Sequence, residues 1–440
     1  MKTVITKLLA LLLALAAIAP FAMSCEENKP ADGNTDEVTA TTDTTDKVTT
    51  TTVPVTTDPD PIPIDPMLVN DSYASAGYEL ILKTIKKCYN LKNHWMSTAT
   101  DNPDAPAVWG AASFIEAVAE AYRLFPNDET IEKTYRDMLT VYLDTYKVKN
   151  ATIKAPSQNY SKITYYNAIK GGRDDYYYDD NAWICIQLLI GYQQLGDDSL
   201  LEAAEKNLEF LWTGWDDVLD GGIYWDKSFS GKNTCANGPV AIAMLLAYQL
   251  TGKEEYLERG RMIYDWLRDK MLDGNLYIDA INTKTLEKNN WKAAYNQATP
   301  IYAGALLYEI TGDKTYYDQT KATVNATINL MFKISGKQPD QTVKMNGNPI
   351  FKAWCVGWLA RSYVKFYEVD PNKDTTPMYY LEKVLDDELN TRNFDGDVYY
   401  DPYFLTGDWS GESKTDILQP TGVASTFLLA GYYDYISTKN

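Results

Sequence analysis

The chain has 440 residues, a formal net charge of −19 and 45% hydrophobic residues. That length holds one large domain or two ordinary ones, and the acidity argues against nucleic acid as a partner. A single histidine, His94, excludes a multi-histidine metal site and leaves acid–base chemistry to carboxylates.

Residues 1–24 read as a secretory signal: Lys2 and Lys7 give the positive start, and L-L-A-L-L-L-A-L-A-A-I-A the apolar core. The run is too short for a membrane span. It ends A-M-S-C, which resembles a bacterial lipobox, so Cys25 is expected to carry a lipid; a plain secreted protein with a free Cys25 is the alternative. Glu26 and Glu27 resemble the export signal of surface lipoproteins, and a cell-surface or periplasmic outer-membrane lipoprotein is expected. Residues 25–66 are a Thr-, Asp- and Pro-rich tether. After Cys25 it holds ten acids, two lysines and few apolar residues, too little to build a core.

From residue 67 to 440 apolar residues recur at helical spacing in twelve segments: 69–91, 107–124, 128–147, 180–195, 198–212, 237–251, 254–270, 297–311, 315–333, 350–367, 377–389 and 420–437. They come in pairs joined by a recurring turn: L-F-P-N-D-E at 124, Q-L-G-D-D-S at 194, L-T-G-K-E-E at 250, I-T-G-D-K-T at 310 and E-V-D-P-N-K-D at 368. In the middle three, Gly ends one helix and a charged residue starts the next. A second repeat, D-G-G-I-Y-W at 220, D-G-N-L-Y at 273 and D-G-D-V-Y-Y at 395, reads as a turn followed by a short extended aromatic segment. These longer loops are expected at one end of the helix array, where function gathers on a rigid scaffold. Six pairs closing on themselves give an all-α toroid; an open solenoid competes, but both end helices are apolar and neither reads as a polar cap.

One stretch stands out: G-G-R-D-D-Y-Y-Y-D-D-N-A-W, residues 171–183. Asp179 and Asp180 open a helix apolar enough to be buried. A helix cap accounts for one aspartate, not two, and not for Tyr176, Tyr177, Tyr178 and Trp183 around them. Paired carboxylates in different environments, set among aromatic rings, suit glycoside hydrolysis. Asp174 and Asp175 are either a solvated loop or sugar contacts at the edge. His94, beside Trp95, reads as a hydrogen-bonded structural residue. Cys88, Cys185, Cys235 and Cys355 show no C-x-x-C spacing; Cys185 and Cys355 read as buried thiols, and the sequence leaves a disulfide open. No phosphate loop or nicotinamide fingerprint is present, and neither cofactor nor metal is expected.

Residues 67–440 resemble glycoside hydrolase family 76, the bacterial endo-α-1,6-mannanases. The resemblance rests on Y-Y-Y-D-D-N-A-W at 176, G-G-I-Y-W at 221, K-N-T-C-A-N-G-P at 232, Y-N-Q-A-T at 295 and F-K-A-W at 351. It implies an (α/α)6 barrel and hydrolysis with retention, with Asp179 as nucleophile and Asp180 as acid/base. A polysaccharide substrate and a monomeric enzyme are expected. Ala298 stands where the family's Gly is expected. The remaining candidates each have a structural alternative. Trp225 stacks on sugar or packs beneath the rim. Asn233 precedes a helix that Asn237 caps or from which Asn237 contacts sugar. Asn296 and Gln297 open another helix with amides suited to sugar hydroxyls. Lys352 and Trp354 begin an inner helix, with Lys352 either on substrate or paired with an active-site aspartate. Tyr178, Asn181 and Tyr295 complete the candidate binding set. A catalytically silent glycan-binding lipoprotein and a transglycosylase are the competing functions.

Overall fold

The computed structural model describes residues 71–98, 102–337, 341–391 and 416–439. The signal, the tether with Cys25, and the D-G-D-V-Y-Y segment lie outside the described residues. Among the described residues are twelve α-helices: α1 (Ser72–Cys88), α2 (Val108–Leu124), α3 (Glu129–Asp137), α4 (Tyr178–Leu195), α5 (Asp198–Trp212), α6 (Thr234–Thr251), α7 (Glu254–Trp266), α8 (Ala294–Thr311), α9 (Lys314–Met331), α10 (Ala353–Val369), α11 (Thr376–Thr391) and α12 (Leu418–Ser437).

Burial separates them into two rings. In α6 every residue from Thr234 to Ala247 is buried, whereas α3 buries only Ile131, Thr134 and Tyr135. The even-numbered helices form the inner ring, each packed on the next, and α12 returns to α2. The ring is therefore a closed toroid and not an open solenoid. Each odd-numbered helix from α3 to α11 lies outside the inner helix that precedes it. The first helix differs: α1 covers α12, the last.

The tight turns form as their sequences dictate. Gly196, Gly252 and Gly312 adopt φ of 65°, 67° and 68° at the ends of α4, α6 and α8, and their N–H groups bond the carbonyls of Tyr192, Tyr248 and Tyr308. Asp197 and Asp313 then cap the next helices by accepting the N–H of Ser199 and Thr315. The expected helix over 128–147 is shorter: at Asp137 it widens into a π-turn over Met138–Tyr142 and tightens into a 3₁₀ turn over Leu143–Thr145. This phasing buries both Tyr142 and Tyr146, whose hydroxyls lie 3.1 Å apart. The helix over 254–270 widens likewise at Leu267–Met271.

Among the described residues the β-structure lies at the opposite rim. The strands are β1 (Tyr89–Asn90), β2 (Trp95–Met96), β3 (Lys147–Lys154), β4 (Asn159–Tyr166), β5 (Gly231–Asn233), β6 (Leu272–Asp273), β7 (Leu276–Tyr277), β8 (Ala280–Asn282), β9 (Lys288–Asn289), β10 (Phe332–Ser335) and β11 (Thr342–Met345). They pair as β1–β2, β3–β4, β6–β7 and β10–β11 hairpins and one three-stranded antiparallel sheet, β5–β8–β9. Cys88, Cys185 and Cys235 are buried free thiols, and Cys355 is buried. His94 pairs with Asp137 at 2.7 Å. No helix among the described residues is long and apolar enough to cross a membrane.

The α1–α12 seam is held by close backbone approach. A Cβ at Gly431 would stand 2.6, 2.7 and 2.8 Å from Cβ, N and Cα of Ala74, and one at Gly77 would stand 2.9 Å from the Ala424 carbonyl. On an open helix face Gly→Ala stabilises by about 1 kcal/mol. Here Gly431→Ala is expected to destabilise by about 1–3 kcal/mol, because the seam must open to admit the methyl group. A lowered urea midpoint at unchanged slope is the expected result; a raised midpoint would show that the seam tolerates more space.

Candidate active site

The site is built where the six inner helices begin. A common device fixes three of those starts. Asn181 lies four residues after the N-cap of α4. Its Oδ1 accepts the N–H of Tyr166 at 2.7 Å, and its Nδ2 donates to the carbonyls of Tyr166 at 2.9 Å and Tyr177 at 2.8 Å. Asn237 does the same with Ile223 (2.7 and 2.8 Å) and Asn233 (2.8 Å). Gln297 does so with Tyr277 (2.7 and 2.8 Å) and Ala293 (3.1 Å). Each amide reads one rim residue as a strand partner would, and all three side chains are fully buried. Their side-chain hydrogen bonds go to backbone, except that Asn181 Oδ1 also accepts Asn207 Nδ2 at 2.9 Å. The expected cap at Asn237 is thereby corrected. α6 starts three residues earlier, Asn233 is its N-cap residue, and Pro239 sits inside the helix.

Asp179 and Asp180 occupy the first turn of α4, after the N-cap Tyr177. Both are half-buried. Asp179 is well supplied with donors: Trp225 Nε1 at 2.8 Å, the Asp180 backbone N–H at 2.9 Å, and the Cys235 thiol. Burial nonetheless pushes its pKa up to about 6, the hydrogen bonds opposing the rise. The Asp180 carboxylate has no hydrogen-bond donor among the described residues. Burial, then the charges of Asp179 and Asp175, hold it protonated well above the usual carboxylate range. The helix N-terminus favours negative charge, but desolvation and mutual repulsion outweigh it. Both carboxyls are pushed toward protonation, and only Asp179 has hydrogen bonds that oppose the push.

Trp225 is locked on both sides. Its N–H donates to the Gly231 carbonyl at 3.0 Å, and its own carbonyl accepts the Tyr178 N–H at 2.8 Å. The preceding turn is held by Lys232, which is 0% exposed and donates to Asp216 Oδ1 at 2.6 Å and to the carbonyls of Val218 and Gly221 at 2.7 Å each. Burial lowers the Lys232 pKa, and its bond to Asp216 opposes that. Trp225 thus does something the sequence did not suggest: it hydrogen-bonds Asp179 directly.

The other candidates divide between cleft and framework. Tyr178 is framework: its ring stacks on Phe210 at 4.9 Å and 9°, fully buried. Trp354 is a buried floor residue whose Nε1 donates to Glu116 at 2.7 Å; it meets Trp183 edge-on at 5.0 Å, one helical turn below the aspartates. Lys352 pairs with Asp416 at 3.0 Å, not with the Asp179–Asp180 pair. Asn233 and Tyr295 are half-buried. Tyr295 lies close enough to Asp179 and Cys235 for their charge to raise its pKa, after burial. Asn296 is buried, donates to Asp279 at 2.8 Å, and keeps Oδ1 without a partner among the described residues. Asp174 is exposed and left-handed at φ 60°, while Asp175 is half-buried and adds to the field on Asp180. Ala298 is fully buried on α8.

Four residues were missed by sequence reading: Cys235, Lys232, Asp279 and Glu116. Asp279 is a further half-buried carboxylate, accepting from Asn296 and Asn289 at 2.8 Å each, with its pKa raised by burial. Glu116 lies in the core, accepting from Trp354 and from Trp358 at 3.0 Å, and burial pushes its pKa to about 7. No group of residues suited to hold a metal ion occurs among the described residues.

A helical toroid whose rim presents two adjacent carboxyls in unlike surroundings, bordered by aromatic rings, suits a glycoside-cleaving enzyme. Residues 73–416 match Glycosyl hydrolase family 76, and the chain belongs to that family. A Glycoside hydrolase family 76 mannosidase from Bacteroides thetaiotaomicron superposes with TM-score 0.72 at 19% identity, over 83% of this chain and all of the other. An inactive α-1,6-mannanase variant from Salegentibacter sp. HEL1_6, two consecutive aspartates replaced by asparagine and solved with α-1,6-mannotriose, superposes with TM-score 0.62 at 20% identity, over 82% and 99%. Among curated proteins, the mannan endo-1,6-alpha-mannosidase of Candida glabrata is 30% identical over 128 residues, 26% of this chain and 28% of that protein. The chain thus aligns with under a third of the length of that relative.

Trp225→Phe removes a donor that favours the Asp179 anion, so the pKa of Asp179 should rise. The acidic limb of the kcat/KM–pH profile, near pH 6 for the native pair, should move to higher pH. A limb that stayed in place while kcat/KM fell uniformly would make Trp225 a packing residue only.

Proposed function

We propose that the protein is a retaining, endo-acting α-1,6-mannanase. The observation that carries this reading is the unequal treatment of two adjacent carboxyls: three donors on Asp179, none on Asp180. Asp179 attacks the anomeric carbon as the anion. Asp180, held protonated, gives its proton to the departing glycosidic oxygen, then takes one from the water that releases the sugar. Because the groups interact, their titration belongs to the pair. The linkage and the polysaccharide are supported by the Salegentibacter mannanase, bound to α-1,6-mannotriose after loss of two consecutive aspartates, and by the name of the Candida relative. The protein works as a monomer without a cofactor.

Linear α-1,6-mannan is the test substrate. Native protein should release oligosaccharides from internal bonds, first with retained α configuration. Asp179→Ala should abolish turnover. Asp180→Ala should cripple cleavage of polymer but spare much of the turnover of an activated aryl mannoside, whose leaving group departs without a proton. Azide should then yield an α-mannosyl azide from Asp180→Ala and none from Asp179→Ala. The reverse pattern would exchange the two roles, and near-normal activity of both variants would reduce the pair to a helix cap.

We also propose that Cys25 is lipidated and that the acidic segment after it tethers the enzyme to the outer membrane, on the strength of the A-M-S-C junction. Cys25→Ala should move the protein into the soluble fraction of cells. Retention in the membrane fraction would place the anchor elsewhere.

A further inference from the structure

Beyond the catalytic pair, the rim between α8 and α2 carries a line of aromatic rings that the mechanism does not use. Trp291 precedes α8, Phe351 precedes α10, and Trp109 lies in the first turn of α2. Phe351 stands 6.2 Å from Trp291 and 5.8 Å from Trp109, centroid to centroid. Tyr295 joins this line to the catalytic centre: it lies 6.3 Å from Trp291, 5.8 Å from Phe351 and 6.0 Å from the floor residue Trp354, and it senses the charge of Asp179. Trp291 is 37% exposed, one of the few large apolar side chains so open.

Its conformation is nevertheless fixed. Nε1 donates to the Asn348 carbonyl at 3.1 Å, and its backbone N–H donates to Asn289 Oδ1 at 3.2 Å. Its ring contacts are near-perpendicular, 63° to Phe351 and 78° to Tyr295, and among the described residues no ring stacks on its face. A solvent-facing indole costs hydrophobic free energy, and a loop tip needs no tryptophan to make one backbone hydrogen bond. A rigid indole with an uncovered face is suited to the apolar face of a pyranose ring.

We propose that Trp291, backed by Phe351 and Trp109, forms a sugar-binding platform for a mannosyl unit distant from the scissile bond. This rests on the mannanase reading for the identity of the sugar. The occupant is part of the same chain that the aspartates cut, because Tyr295 makes platform and catalytic centre one continuous surface. The platform would make affinity depend on chain length.

The test uses the catalytically silent Asp179→Asn/Asp180→Asn protein, full chain, titrated calorimetrically with α-1,6-mannobiose and α-1,6-mannotetraose, with and without Trp291→Ala. Expected is a loss of about tenfold in affinity for the tetraose and less than twofold for the biose, with Trp291→Phe restoring most of it. Trp291 is exposed, so an unchanged melting temperature should accompany the loss. Equal weakening of both sugars, or none, with the parent still binding the tetraose, would overturn the platform and leave the mannanase reading standing. A parent that binds neither sugar would overturn the mannanase reading and the occupant assigned here together.

Discussion

Three side-chain amides carry the link between scaffold and chemistry. A buried amide left unpaired costs roughly 1–3 kcal/mol, and Asn181, Asn237 and Gln297 avoid that by each pairing with both backbone groups of one rim residue and with the carbonyl four residues back. Each amide thereby gives one rim residue the hydrogen bonding of a further strand: Tyr166 at the end of β4, Tyr277 at the end of β7, and Ile223 outside any named strand. Asn237 fixes Ile223, two residues from Trp225, and Trp225 donates to Asp179. Asn181 lies in the same helical turn as the two aspartates and ties it to Tyr166. The paired carboxyls thus inherit their positions from amides bonded to the backbone of the rim.

Electrostatics on this rim is organised by burial more than by pairing. Asp179, Asp180 and Asp279 are all pushed toward protonation chiefly by desolvation, and Lys232 toward deprotonation by the same cause. What differs is how many hydrogen bonds each receives. Donors to Asp179 offset part of its burial, and the absence of donors to Asp180 leaves its burial and its neighbour unopposed. Two residues adjacent in sequence therefore sit in unequal electrostatic surroundings. Glu116 repeats the theme in the floor: two indole N–H groups, with Arg361 4.0 Å away, share its carboxylate and lock Trp354 and Trp358 in place.

The helices were legible because their apolar residues keep a 3.6-residue period and their turns carry Gly followed by a capping residue. The aspartate pair was legible because two carboxylates at the mouth of an apolar helix are hard to explain otherwise. The framework role of Asn181, Asn237 and Gln297 was not read, although a signal existed. Each stands fifteen residues before a helix-ending glycine: 181 to 196, 237 to 252, 297 to 312. That common register marks a structural repeat, and sugar contacts have no reason to share it. Asn237 was misread because Pro239 suggested a helix start, whereas the helix begins at Thr234. The bond from Trp225 to Asp179 and the pairing of Lys352 with Asp416 join residues far apart in sequence, set by loop geometry that no local pattern encodes.

The first helix has its partner at the far end of the fold: Ala74 lies against Gly431. As the polypeptide is synthesised, α1 emerges with an apolar stripe that nothing yet made can cover. The inner ring cannot shut until α12 exists, so the circle is an open arc until that helix is made. Contacts of such long sequence separation slow folding. Closure of the ring therefore waits on the contacts of longest sequence separation in the described fold.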